Sequence, residues 1–149
     1  MQVLLSIRPK YSKRIFSGEK KYEFRKTIFS KKNIERVYIY STAPVKKVVG
    51  FFTIGEVIVD HPQRLWSRLK KYSGLSQIEF FRYFRGNEKG FAIEIENVEV
   101  FINPINPKDL RTSFIPPQSF YYVDPHTFLP FLYDSSNVNQ RKNYTSLTI

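Results

Sequence analysis

The segment from Ser17 to Lys26, SGEKKYEFRK, constrains the fold of this chain more than any other stretch. Gly18 ends one element, and the residues after it alternate between polar and aromatic side chains. With the two-residue period of a β-strand, Lys21, Glu23 and Arg25 share one face and the aromatic residues between them share the other. Because unpaired ions are costly to desolvate, this charged face predicts either a solvated surface or a pocket that binds a ligand.

The sequence leaves both interpretations of the charged face open. On an open surface, a Glu23–Arg25 pair would stabilise the fold by at most about 1 kcal/mol. In a pocket, Arg25 offers a planar fork of donors, Glu23 accepts from an N–H group, and a lysine adds a point charge. That combination suits a heterocycle next to a phosphate.

Hydrophobic periodicity predicts an α+β domain. Strands are predicted at 2–7, 21–25, 34–40, 45–59 and 91–102, and a further extended segment at 116–122. Helices are predicted at 10–16, from residue 65, at 75–84 and, in a short form, within 123–134. Gly50 and Gly55 lie where a barrel strand would bend or bulge, and Ser76 with Glu79 has the spacing of a capping box.

Positive charge is concentrated in one part of the chain, whose net charge is +11. Residues 1–89 contain 20 Lys and Arg against 7 Asp and Glu, whereas residues 90–149 contain 4 against 6. Segregated positive charge suits a polyanion, and many of the 24 Phe and Tyr residues are candidate stacking surfaces. A nucleic acid or a nucleotide is therefore the predicted partner, and a soluble protein that is merely basic is the alternative.

The composition also excludes several kinds of site. The chain has no cysteine, which removes disulfides, thiol catalysis and thiolate metal sites. His61 and His126 each stand beside a proline and read as surface residues, so no metal site is predicted. We see neither a signal-peptide pattern nor an apolar run of about 20 residues, and we expect a cytoplasmic protein without membrane contact. A monomer is expected.

Two motifs resemble a known family. Gly18-Glu19-Lys20-Lys21-Tyr22-Glu23-Phe24-Arg25 is similar to the G-x-K-x-x-E-x-R signature of the ASCH domain, a branch of the PUA-like β-barrels. It follows an opening strand, Leu4-Leu5-Ser6-Ile7-Arg8-Pro9, and a short helix, as it does in that family. Pro116-Pro117-Gln118-Ser119-Phe120 resembles a P-x-Q-S-aromatic segment of ASCH proteins. The resemblance covers roughly residues 1–122, which predicts an ASCH domain there and a C-terminal extension at 123–149. From Ser135 onward the chain is polar and has few apolar residues, which predicts disorder.

The resemblance implies a small mixed PUA-like β-barrel of about five to six strands with two to four flanking helices. It also implies a barrel-mouth pocket that holds an unpaired base of RNA or a modified nucleoside. Ligand-binding residues are then expected at Lys20, Lys21, Glu23, Arg25, Ser41, Gln118, Ser119 and Phe120. Phosphate-contacting residues are expected at Arg8, Lys26, Lys31 and Lys32.

A binding module is favoured over an enzyme, but a hydrolase acting on RNA is retained as the alternative. One form is a metal-assisted ribonuclease, with Lys20 and Glu23 as candidate catalytic residues and Mn²⁺ or Mg²⁺ as the ion; otherwise no cofactor is expected. The other form resembles an ASCH acetylcytidine amidohydrolase, which uses a lysine, a threonine and a glutamate. Lys20 matches the lysine, but Glu23 replaces the threonine and no acid stands near 70–73, which puts that chemistry in doubt.

Overall fold

The structure, a computed structural model, describes residues 1–132. The predicted disorder of 135–149 lies outside the described residues. The elements are β1 (Gln2–Ile7), α1 (Pro9–Phe16), β2 (Tyr22–Arg25), β3 (Arg36–Ser41), β4 (Lys47–Asp60), α2 (Pro62–Leu69), α3 (Gln77–Tyr83), β5 (Gly90–Ile105), β6 (Phe120–Val123) and α4 (Leu129–Leu132). Short 3₁₀ turns occur at Lys70–Tyr72 and Pro107–Asp109.

The six strands form one mixed sheet in the order β2-β5-β4-β3-β1-β6. Only the β1–β3 pair is parallel, and the other neighbours are antiparallel. The sheet curls back on itself, so that Arg25 on the edge strand β2 donates a hydrogen bond to the Ser6 carbonyl at the end of β1. This half-barrel with four α-helices in the described part of the chain confirms the predicted α+β, PUA-like architecture.

β3 is buried on both faces. Val37 and Ile39 pack in a core cluster that includes Ile15 of α1. Tyr38 and Tyr40 pack in a second cluster with Phe128, in the turn before α4, and with Leu132 of α4. The alternation predicted for β3 is therefore confirmed, and both layers of the domain meet on this strand.

β4 bends where glycines allow it. Its pairing register against β5 shifts at three places, of which the first and the last contain Gly50 and Gly55: between Val48 and Gly50, between Phe51 and Thr53, and between Ile54 and Val57. A Cβ atom at Gly50 would overlap the carbonyl oxygen of Glu99 on the neighbouring strand. The bulges predicted at the two glycines of this strand are thus confirmed, and they let one long strand follow the curl of the sheet.

The aromatic face of β2 anchors the helices. Phe24 is buried and meets Phe80 edge-on at a ring-centroid distance of 5.1 Å, within a cluster that also contains Leu65. α3 begins with the predicted capping box, in which the Ser76 hydroxyl accepts from the Glu79 amide and the Glu79 carboxylate accepts from the Ser76 amide. These contacts place α3 beside β2. None of the helices within residues 1–132 has the length and apolar character needed to span a membrane.

Candidate functional site

A cavity of about 510 Å³ lies between β2, the junction of β1 with α1, and α3. Its wall carries more positive than negative side chains. The cations are Arg8, Lys10, Lys20, Arg25 and Arg82, and the acids are Glu23 and Glu79. The predicted trio of Lys20, Glu23 and Arg25 therefore converges on one concavity, whose charge favours an anionic ligand.

Lys20 is the most deeply buried cation of the cavity, with 2% of its surface exposed. Its Nζ donates a 2.8 Å hydrogen bond to the Ser73 carbonyl and lies 5.0 Å from the centre of the Phe24 ring. Burial lowers the pKa of this amine, while the nearby Glu23 carboxylate opposes the shift. Lys20 consequently loses its proton more readily than a surface lysine does.

The turn at Ser73 and Gly74 holds Lys20 in place. Gly74 has a φ of +65°, and a Cβ atom there would lie 2.5 Å from Cβ of Lys20. Its carbonyl accepts a 2.6 Å hydrogen bond from Nη1 of Arg14. Two successive carbonyl groups of one turn thus accept hydrogen bonds from a lysine and an arginine. Glycine is required at position 74 because any larger residue would collide with the side chain of Lys20.

Glu23 and Arg25 form a loose ion pair, with 3.8 Å between Oε1 and Nε. Nη2 of Arg25 donates a 2.8 Å hydrogen bond to the Ser6 carbonyl. Within residues 1–132, Oε2 of Glu23 and Nε of Arg25 are buried and have no hydrogen-bond partner. Unpartnered buried polar atoms are costly, and these two, an acceptor and a donor, belong to residues that line the cavity.

Glu79 links α3 to α1 across the cavity, a role that sequence reasoning missed. Its Oε2 accepts a 2.9 Å hydrogen bond from Nζ of Lys10 and a 2.5 Å bond from the Tyr11 hydroxyl, and its Oε1 accepts from the Ser76 amide. The Tyr11 and Lys10 bonds lower the pKa of Glu79 to about 2. The spacing of the capping box predicted only the hydrogen bond with Ser76. The hydrogen bonds from Lys10 and Tyr11 depend on how α1 packs against α3, which the sequence pattern does not show.

We expect Glu79→Gln to lower the free energy of unfolding at pH 7 by about 1 kcal/mol, a value that allows for solvent screening of this partly exposed group. Because the folded-state pKa lies below the unfolded value of 4.5, the stabilisation is present above pH 4.5 and disappears as the pH falls towards 2. Urea denaturation of both proteins across that pH range measures the difference.

Glu19→Gln, which removes an exposed carboxylate on the turn before β2, is the matched control and should leave stability unchanged. A wild-type advantage over Glu79→Gln that stays constant down to pH 2 would contradict the assigned bonds.

The comparisons with known proteins decide the family. The model of the family described as a domain of unknown function, DUF365, matches residues 1–114. The chain is also 35% identical over 125 residues to a Zymomonas mobilis subsp. mobilis protein described as an ASCH domain-containing ribonuclease, which covers 82% of this chain and 84% of that protein. The chain belongs to the ASCH domain family. The resemblance stated from the sequence is confirmed.

Comparison with solved structures supports the same family assignment. The crystal structure of ASCH from Zymomonas mobilis superposes on this ASCH domain with a TM-score of 0.81 and 31% identity, covering 88% of this chain and 93% of that one. A segment of a Ureaplasma parvum protein described as large ribosomal subunit protein uL22 is 33% identical over 109 residues. That match covers 72% of this chain but 34% of the longer protein.

Five of the predicted ligand-binding residues do not line the cavity of this ASCH domain. Lys21 is exposed on its outer side, with Nζ 5.2 Å from the centre of the Tyr72 ring. Ser41 is buried, with its hydroxyl 3.2 Å from that of Ser12. Gln118 is exposed, and the Ser119 carbonyl accepts from the Ser6 amide. Phe120 packs against the Phe29 ring. A ligand-binding role for these five stays a prediction.

The four predicted phosphate-contacting residues do not all lie at the cavity. Arg8 lines the cavity. Nζ of Lys26 lies 4.8 Å from the centre of the ring of Tyr83, which lines the cavity as well. Nζ of Lys31 lies 4.7 Å from the Tyr122 ring, outside the cavity, and Lys32 is exposed. Among these four, only Arg8 and Lys26 are therefore associated with the cavity.

Two further observations concern the hydrolase chemistries considered from the sequence. No group of three or more His, Asp or Glu side chains in the described part of the chain is placed to hold a metal ion. Ser73, in the region where the amidohydrolase pattern needs a glutamate, contributes its carbonyl to Lys20 instead. A second cavity of about 480 Å³, with Lys46, Lys47 and Lys108 in its wall, contains none of the predicted site residues.

Proposed function

We propose that this ASCH domain binds single-stranded RNA and holds one unpaired nucleotide in the cavity between β2, α1 and α3. The observation that carries the proposal is the pair of buried, unpartnered atoms, Oε2 of Glu23 and Nε of Arg25, in a cavity wall with an excess of cations. The ligand supplies what these atoms lack, a donor for the carboxylate and an acceptor for the guanidinium.

An unpaired nucleobase meets this requirement. The Watson–Crick edge of each base presents a donor next to an acceptor, and in a duplex that edge is occupied by the partner base. Glu23 and Arg25 would read the edge, while Tyr83 supplies an aromatic ring in the same wall. A volume of about 510 Å³ lies within the usual range for small-molecule sites.

The surrounding cations would hold the phosphates. Arg8, Lys10 and Arg82 line the same cavity, and their charge is independent of the base that is bound. Such contacts release counterions, so the affinity should fall as salt is added. Base recognition and phosphate binding are thereby assigned to different side chains.

The test is binding of wild-type protein to fluorescent single-stranded RNA across a salt series. We expect the logarithm of affinity to fall with the logarithm of salt concentration by about 0.7 for each neutralised phosphate. A duplex of the same sequence should bind more weakly, because its base edges are paired. Equal affinity for duplex and single strand would contradict the cavity as a reader of unpaired bases.

RNA cleavage is a second candidate, favoured because a relative 35% identical to this chain is described as a ribonuclease. The 2′-hydroxyl would attack the adjacent phosphorus as Glu23 takes its proton. The bond from phosphorus to the 5′-oxygen would then break, and Lys20 would protonate the leaving oxygen. Arg25 would stabilise the charge on the pentacoordinate phosphorus, and the products would be a 2′,3′-cyclic phosphate and a 5′-hydroxyl.

Incubation of end-labelled RNA with Mn²⁺, with Mg²⁺ or with EDTA tests this step. We expect cleavage that persists in EDTA and is lost in Glu23→Gln. Cleavage that requires the metal would contradict the step as written and support metal assistance. Binding without cleavage under all three conditions would leave RNA binding as the function.

A further inference from the structure

We propose that Tyr72, together with Lys21 and Lys71, forms an outer nucleotide-stacking site beside the cavity. Tyr72 is 39% exposed in the turn between α2 and α3. Nζ of Lys21 lies 5.2 Å from the centre of its ring, and Nζ of Lys71 lies 5.6 Å from it. The inference rests on the proposed RNA binding and extends the bound ligand from one nucleotide to a strand.

The outer site shares a wall with the cavity. The side chain of Lys20 enters the cavity, whereas that of the next residue, Lys21, lies on the other side against Tyr72. The backbone fixes this arrangement, because the Lys21 amide donates a 2.8 Å hydrogen bond to the Tyr72 carbonyl and Lys20 donates to the carbonyl of Ser73. A nucleotide on Tyr72 would therefore neighbour a nucleotide in the cavity.

The chemistry of this surface favours a single strand of nucleic acid. A nucleobase can stack on an exposed aromatic ring whatever its sequence, because every base has a π-face. The two ammonium groups, which lie over the ring in the absence of a ligand, would give way to the stacked base and pair with the phosphates on either side of it. The turn Lys70–Tyr72 itself carries two lysines and no acid, so it offers no competing negative charge.

A length series separates the two sites. Affinities are measured for a mononucleotide and for a hexanucleotide of the same base, with wild type, Tyr72→Ala and Tyr72→Phe. We expect all three proteins to bind the mononucleotide equally, because it occupies the cavity. For the hexanucleotide, Tyr72→Ala should bind roughly ten-fold more weakly, whereas Tyr72→Phe keeps the ring and should match wild type.

Tyr121→Ala is the matched control, since Tyr121 is similarly exposed at 42% but lies on the edge strand β6. It should leave the affinities for both ligands unchanged. The outer site is overturned if Tyr72→Ala binds the hexanucleotide as wild type does, if it weakens both ligands equally, or if Tyr72→Phe is as weak as the alanine variant. Failure of wild type to bind either ligand would instead overturn the proposed function.

Discussion

Arg25→Ala is expected to weaken binding of single-stranded RNA by about 100-fold and to remove discrimination between bases. The substitution deletes the unpartnered Nε donor of the cavity and leaves the buried Glu23 carboxylate without its cation. Hydrogen bonds that involve a charged group contribute about 1.5–3 kcal/mol each, and the loss of one or two such bonds gives this magnitude. Titration with four homopolymeric oligonucleotides measures both effects.

Two control variants distinguish loss of the Arg25 guanidinium group from loss of a positive charge. Lys32→Ala removes the same charge from an exposed position, so we expect a few-fold loss that depends on salt but is equal for all bases. Arg25→Lys keeps the charge beside Glu23 but loses the planar fork, and it should lose base discrimination while remaining folded. Equal affinity of wild type and Arg25→Ala for every oligonucleotide would contradict the proposed cavity.

Gly74→Ala is expected to destabilise the fold by about 2–4 kcal/mol and to displace the side chain of Lys20. A positive φ at a non-glycine residue costs about 1 kcal/mol or more, and the new methyl group would meet the Lys20 side chain at 2.5 Å. Lys20 is buried, so it has little room to move aside. Urea denaturation measures the loss of stability.

Gly86→Ala separates the two contributions. Gly86 also has a positive φ, of +79°, but nothing lies within 4 Å of the position that its Cβ would occupy. We expect this control to show only the backbone cost, and the excess in Gly74→Ala then reports the contact with Lys20. Equal destabilisation by both substitutions would mean that Lys20 is not held by the turn.

Features that depend on neighbouring residues were predictable from the sequence. The alternation of Val37 and Ile39 with Tyr38 and Tyr40 gave the two faces of β3, because the strand period is a local property of the backbone. The Ser76 capping box was predictable for the same reason. The family resemblance added the barrel, which no single segment contains.

Features that depend on packing between distant segments were not predictable. Ser41 had the right chemistry for a cavity residue, but β3 is central in the sheet and turns its hydroxyl towards Ser12 of α1. Conversely, the sequence predicted Glu79 only as part of a helix cap. Its hydrogen bonds with Lys10 and Tyr11 form because α1 packs beside α3. Lys21 was predicted to share a strand face with Glu23. That prediction was wrong because β2 begins only at Tyr22, so the alternation of a strand does not extend to Lys21.

The tie between Arg25 and the Ser6 carbonyl has a consequence for ligand recognition. The bond fixes the guanidinium against the end of β1, so the loss of its rotamer freedom occurs when the chain folds and not when a ligand arrives. The side chain of Arg25 is therefore preorganised in the cavity wall. We expect a ligand that engages Nε to leave this bond intact, whereas a ligand that draws Nη2 away would have to break the bond between β2 and β1. This difference would favour the first kind of ligand among those of similar charge.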